Sequence, residues 1–165
     1  MSGMMCLAAR LVEKLLSPLC RYRIMVQKQS YPTIINLQEL AKVGLALEMS
    51  WCKETSGVQE MWTKVKIPSL GQCAVTALIL QDHFGGELMK TEVKMPKEFK
   101  GWPHYLILLP VLGRHDLTVK QFGDVVDFEP LKPIRREDLL RSSSDIGQRY
   151  ELLKRNVDAL LRQQE

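Results

Sequence analysis

The chain has 165 residues, 45% of them hydrophobic and 25% charged, the size and balance of one globular domain rather than of a disordered or collagenous chain. No apolar run approaches the roughly 18 residues of a spanning helix, so no membrane span is expected. The net charge of +4 is concentrated in residues 1–36, where Arg10, Lys14, Arg21, Arg23 and Lys28 stand against Glu13; the remainder carries 18 side chains of each sign, which excludes a uniformly basic face for specific nucleic-acid binding.

Residues 4–20 place Leu7, Ala8, Leu11, Val12, Leu15, Leu16 and Leu19 at helical spacing, with Arg10, Glu13, Lys14 and Ser17 opposite. This predicts a helix in a basic arm, residues 1–36, that packs on the domain, stays mobile or joins two copies into a homodimer. Residues 22–26 read as a short strand, broken by Ser30, Tyr31 and Pro32. A single domain is expected over residues 37–165. Asn36 followed by Glu39 has capping-box spacing and opens a helix over roughly 37–50, with Leu37, Leu40, Ala41, Gly44, Leu47 and Glu48 near one face. A short helical turn follows at residues 59–62. Trp51 and Trp62 precede Cys73 and are candidate cleft residues, as is Trp102 in the Pro- and Gly-punctuated loop 94–103.

Pro68 and Gly71 keep the chain irregular before Cys73, and Gly85 and Gly86 end a helix of about twelve residues. Between Ala74 and Leu80 only Thr76 is polar, so this helix is expected to be buried on all sides. Cys73 then lies in its first turn, where free backbone N–H groups and the positive end of the dipole favour a thiolate. Residues 87–93 read as a strand, residues 104–109 as the clearest strand of the chain, and residues 114–117 as its antiparallel return. Thr118 with Gln121 again has capping-box spacing. Residues 123–133 read as irregular, residues 135–141 as a short helix, and residues 145–162 as a longer one with a solvated face of Arg149, Glu151, Lys154, Arg155 and Asp158. The sum is α+β: a buried central helix carrying Cys73 at its N-terminus, packed on a small antiparallel sheet with flanking helices.

Cys6, Cys20, Cys52 and Cys73 form no CxxC pair and no secreted disulfide framework. Arg10, Glu13 and Lys14 interrupt any secretion signal, so free thiols and a cytoplasmic location are expected. No P-loop, dinucleotide fingerprint, GxSxG or HExxH is present, and no cofactor or metal is expected.

A cysteine nucleophile needs a base and a group to orient that base. His104 begins one strand and Asp116 ends the next, so an odd number of turn residues puts both on one face of the sheet. A turn centred on Pro110 opposes them directly, whereas one centred on Leu112 offsets them by four residues, roughly 13 Å. His115 points to the opposite face and is expected to be exposed. His83 meets the dipole at the end of the central helix.

Ser50-Trp51 with Thr55, the block Gly71-Gln72-Cys73-Ala74-Val75-Thr76-Ala77-Leu78, Gln81-Asp82 with Gly85-Gly86-Glu87, His104-Tyr105, Asp116-Leu117-Thr118 with Gln121-Phe122, and Arg149-Tyr150 with Leu153 carry a resemblance to the YunG-like family of small bacterial proteins over roughly residues 45–155. The order of cysteine on a helix, histidine on a strand and aspartate on the next strand is also similar to papain-like and transglutaminase-like enzymes. The resemblance implies a cysteine-centred fold. The expected function is a cysteine hydrolase or acyltransferase on an acyl or peptide-like substrate, with Cys73 as nucleophile, His104 as base, Asp116 as orienting group and Gln72 supporting the oxyanion. The alternative is a non-catalytic binding or regulatory domain on the same scaffold.

Overall fold

A computed structural model describes residues 34–65 and 67–163. The arm helix, the strand at residues 22–26 and the homodimer contact predicted for the N-terminal arm lie outside the described residues.

Helix α1 (Leu37–Ser50) starts where its cap predicts: Asn36 Oδ1 accepts the N–H groups of Gln38 at 2.9 Å and Glu39 at 3.4 Å. Its inward stripe is Leu40, Val43, Gly44, Ala46, Leu47 and Ser50, which leaves the predicted face members Leu37, Ala41 and Glu48 exposed. A 3₁₀ turn (Lys53–Thr55) and the short helix α2 (Gln59–Trp62) lead to α3 (Cys73–Phe84), twelve residues long. Every residue of α3 from Cys73 to Leu80 is buried, as an almost wholly apolar sequence demands. Gly85 and Gly86 end it at φ of 67° and 101°. A Cβ on Gly86 would stand 2.4 Å from the Leu108 carbonyl oxygen, so glycine is required for the chain to pass over the strand there.

Five antiparallel strands form a curled sheet: β1 (Glu87–Met95), β2 (Pro103–Leu109), β3 (Gly113–His115), β4 (Asp127–Phe128) and β5 (Lys132–Pro133). The order is β3-β2-β1-β4, and β5 shares the far edge of β1 with β4. The two small strands lie inside the stretch expected to be irregular; their two-residue length and flanking prolines left no alternation to read. Helices α4 (Arg136–Arg141) and α5 (Ile146–Arg162) follow. No helix among the described residues is long and apolar enough to cross a membrane.

Helix α3 sits between two apolar clusters. Val75, Ile79, Leu80 and Phe84 pack with Val43 and Leu47 of α1, Ile107 and Leu109 of β2, and Leu153 and Val157 of α5. Cys73, Ala74, Ala77 and Leu78 join Leu88, Tyr105, Leu139 and Ile146 in the second cluster. Cys73 thus stands where the first turn of α3 meets β2 and the start of α5.

The β2–β3 hairpin pairs Ile107 with His115, Leu108 with Arg114 and Leu109 with Gly113. Its turn is therefore three residues centred on Val111, between the two registers weighed from sequence. Val111 adopts φ 66°, and the Leu112 N–H donates to the Pro110 carbonyl at 2.8 Å, a γ-turn around a β-branched residue. His104 and Asp116 share a face but are offset by two positions, about 7 Å along the strands.

Candidate functional site

The loop before Cys73 is held by two glycines. The Gly57 N–H donates to the Gly71 carbonyl at 2.9 Å, and Gly71 has φ 72°. A Cβ there would come within 2.6 Å of Ser56 Oγ and 2.9 Å of the Gly57 nitrogen. Ser56 Oγ donates to the Leu70 carbonyl at 2.8 Å and accepts the Val58 N–H at 3.1 Å. The chain is thereby folded tightly into the first turn of α3, with Cys73 buried at 8% exposure.

His104, on β2, is fully buried. Its Nε2 lies 2.8 Å from Asp116 Oδ2. The carboxylate leaves the end of β3 and bridges the two-position offset diagonally. Asp116 Oδ2 also accepts from the Arg114 guanidinium at 3.3 Å, while Oδ1 accepts the Thr118 N–H and hydroxyl, each at 3.2 Å. The imidazole is walled by aromatic rings: Phe128 stacks on it at 5.2 Å and 12°, and Phe122 meets it edge-on at 5.0 Å. With Phe99 against Phe122 at 5.3 Å, three of the four phenylalanines of the chain enclose the site. They are scattered over loops and a two-residue strand, so no periodicity marked them.

Burial on its own would push the His104 ring toward the neutral form. The hydrogen bond that the ring donates to Asp116, the neighbouring Cys73 and the charges of both outweigh it and raise the imidazole to about 9. Asp116 shows the converse balance: burial raises it, but His104 and Arg114 hold its carboxyl below the usual carboxylate range. With Nε2 occupied, Nδ1 is the ring nitrogen left to meet Cys73; it is buried and makes no hydrogen bond in the protein.

Cys73 opens onto a cavity of about 380 Å³. Trp102, Tyr105 and Phe122 supply aromatic wall, and Ser143, Asp145 and Arg149 supply polar groups. His104 and Asp116 are not among the residues of the wall. Of the three tryptophans singled out from sequence, Trp102 lines the cavity. Trp51 instead packs on the main core and donates its Nε1–H to Thr76 Oγ1 at 3.0 Å. Trp62 donates to the Pro68 carbonyl at 3.2 Å. Closeness to Cys73 along the chain did not put these indoles in the cavity wall, because each is bonded elsewhere, although the loop between them brings Gly57 and Val58 to that wall. Gln72 is fully buried and its Nε2 donates to the Cys52 carbonyl at 2.9 Å. It ties residue 52 to the start of α3, and it is not among the cavity-lining residues.

Three further expectations are corrected. Arg149 is not on a solvated face: it is 7% exposed, its Nε is 2.8 Å from Asp145 Oδ2, and its NH1 donates to the Thr55 carbonyl at 3.4 Å. A charged position beside a core stripe reads the same whether its guanidinium meets water or a neighbouring loop. His115 is half-buried against α1, next to Leu40 and Leu117, and burial, against the opposing charge of Asp116, lowers its imidazole. The capping box expected at Thr118 and Gln121 does not form; both side chains bond elsewhere. Among the described residues no group of three or more His, Cys, Asp and Glu side chains is placed to hold a metal ion.

A family sequence model described as YunG protein matches residues 39–162. The chain is 34% identical over 103 residues to the "Uncharacterized protein YunG" of Bacillus subtilis (strain 168), an alignment covering 62% of this chain and 80% of that protein. No solved structure matches.

Proposed function

The chain belongs to the YunG family, and we propose that it is a cysteine-dependent hydrolase or acyltransferase. The observation that carries this reading is the fully buried His104, bonded on one nitrogen to Asp116 and left open on the other beside Cys73 at the N-terminus of α3. A buried imidazole with a carboxylate on one side and a thiol on the other is the arrangement a cysteine nucleophile needs. That the thiol–imidazole bond is open fits a site that closes it with substrate in place. The placement of the three residues on helix, strand and following chain is similar to papain-like and transglutaminase-like enzymes, which supports the same reading.

In this mechanism the Cys73 sulfur attacks the carbonyl carbon of the acyl substrate, and the backbone N–H groups at the start of α3 receive the developing oxyanion. The tetrahedral adduct collapses, its bond to the leaving amine or thiol breaks, and that group takes the proton from His104. Water, or an acceptor amine, then attacks the thioester; His104 takes its proton, and Cys73 leaves as the thiolate. Asp116 keeps the ring oriented throughout. The wall of Trp102, Tyr105 and Phe122, with Arg149 already neutralised by Asp145, selects an uncharged and largely apolar acyl group.

The test is acyl transfer to the intact protein from a panel of acyl thioesters: aliphatic, aromatic and dicarboxylic. Mass spectrometry of the digest should show an acyl adduct on the Cys73 peptide, strongest for the uncharged apolar members and absent in Cys73→Ala. Adducts spread evenly over all cysteines, or none on Cys73, would leave the non-catalytic binding domain as the better description.

A further inference from the structure

We infer that Thr118 and Gln121 are positioning residues, forming a brace that ties the loop before Cys73 to the carboxylate that holds His104 and so fixes how the thiol meets the ring. This rests on the reading of Cys73 and His104 just given. Gln121 Oε1 accepts the Gly71 N–H at 3.0 Å across a separation of 50 residues. The Gln121 Nε2 donates to the Thr118 carbonyl at 3.0 Å. The Thr118 N–H and hydroxyl both donate to Asp116 Oδ1, whose partner oxygen Oδ2 holds His104. Hydrogen bonds therefore run without a gap from two residues before Cys73 to the imidazole.

Three observations separate a brace from ordinary loop packing. Gln121 is 2% and Thr118 1% exposed, so no solvent replaces a lost bond. Neither side chain makes the cap bond of the 3₁₀ turn Val119–Phe122 that carries Gln121; Thr118 turns its hydroxyl to Asp116, and Gln121 turns its amide oxygen to Gly71. The brace also grips Gly71 where displacement is most constrained: its carbonyl is held by Gly57, its N–H by Gln121, and its φ of 72° leaves no room for a side chain. A shift of Gly71 carries the first turn of α3, and Cys73 with it. The charged and titratable groups facing His104 are Cys73 and Asp116, with Arg114 acting on Asp116; Phe122 and Phe128 supply neutral wall.

The full chain is compared with Gln121→Met, Gln121→Glu, Thr118→Val and Thr118→Ser by three measurements: hydrogen exchange of the Gly71 amide, NMR titration of the His104 ring, and the iodoacetamide rate of Cys73 near neutral pH. Gln121→Met should speed Gly71 exchange about tenfold, lower the His104 midpoint and slow alkylation of Cys73 by about 10–100-fold. Gln121→Glu keeps the acceptor for Gly71 but not the donor to Thr118, so Gly71 stays protected while alkylation still slows. Thr118→Ser should restore wild-type values and Thr118→Val should not. A folded Gln121→Met protein with unchanged Gly71 exchange and His104 titration overturns the brace. Should that variant fail to fold, Thr118→Val decides through the His104 midpoint, unchanged if there is no brace. If Cys73 is inert in the natural chain while Gly71 and His104 respond to the variants, the brace stands and the proposed reaction falls.

Discussion

His104 sits between burial, which disfavours its charge, and two neighbours that favour it, and the neighbours win by enough to raise the ring to about 9. The sign of the consequence follows directly. A histidine whose folded value exceeds its unfolded one adds stability in full below about pH 6.5, and that stability is lost as pH rises through about 9. The contribution is of order 3 kcal/mol. Urea unfolding at pH 6 and pH 9.5 should show the natural chain losing stability over this interval, and Asp116→Asn should flatten the difference; an equally steep loss in the variant would assign it to other groups. At this scale the sequence was partly legible. Cysteine in the first helical turn, and histidine and aspartate on one sheet face, followed from spacing and parity. Arg149 and the three phenylalanines did not, because each owes its place to folding between segments far apart in the chain.

At the scale of elements, the helices and the main strands were readable wherever periodicity was long or a cap was present, as at Asn36 and at Gly85. The hairpin was not. Its register depends on Val111 accepting a left-handed backbone, which a β-branched residue avoids, so the expected turn centres flanked the actual one. A positive-φ γ-turn at a non-glycine residue costs about 1–3 kcal/mol. Val111→Gly, which takes positive φ without a Cβ clash, should therefore raise stability by about 1 kcal/mol while the register holds. Thermal unfolding measures the gain, and a lower melting temperature would show that Val111 contributes something its 88% exposure does not reveal. Gly71 is the opposite case. Its Cβ-free approach to Ser56 and Gly57 makes Gly71→Ala a loss of about 2 kcal/mol or more, checked by the same unfolding curves, and retained stability would mean the loop has slack.

At the scale of the whole molecule, the cavity exists because α5 is fastened to the loop after α1. The Arg149 guanidinium joins Asp145 to the Thr55 carbonyl over the backbone of Gly57, whose added Cβ would meet it at 3.1 Å. Arg149→Met takes the partner from Asp145, whose side chain is 46% exposed, and the donor from the Thr55 carbonyl, at a cost of about 1 kcal/mol by urea unfolding; a neutral result would show that the helix is held by Leu153 and Val157 alone. The run of elements along the chain predicts an α+β fold, yet nothing in it announced that the loop of residues 51–58 brings Gly57 and Val58 to the cavity beside the thiol. That loop has no periodicity, and the i,i+4 spacing of Asp145 and Arg149 does not say that the guanidinium is buried. The central claim, that Cys73 is paired with His104, is tested most directly by iodoacetamide alkylation of the folded chain from pH 5 to 9, with each cysteine quantified by mass spectrometry and the series repeated on His104→Ala. Cys73 should react fast below pH 7 in the natural chain and slow down in the variant. A Cys73 that stays unmodified until the protein unfolds, or reacts identically without His104, contradicts the account.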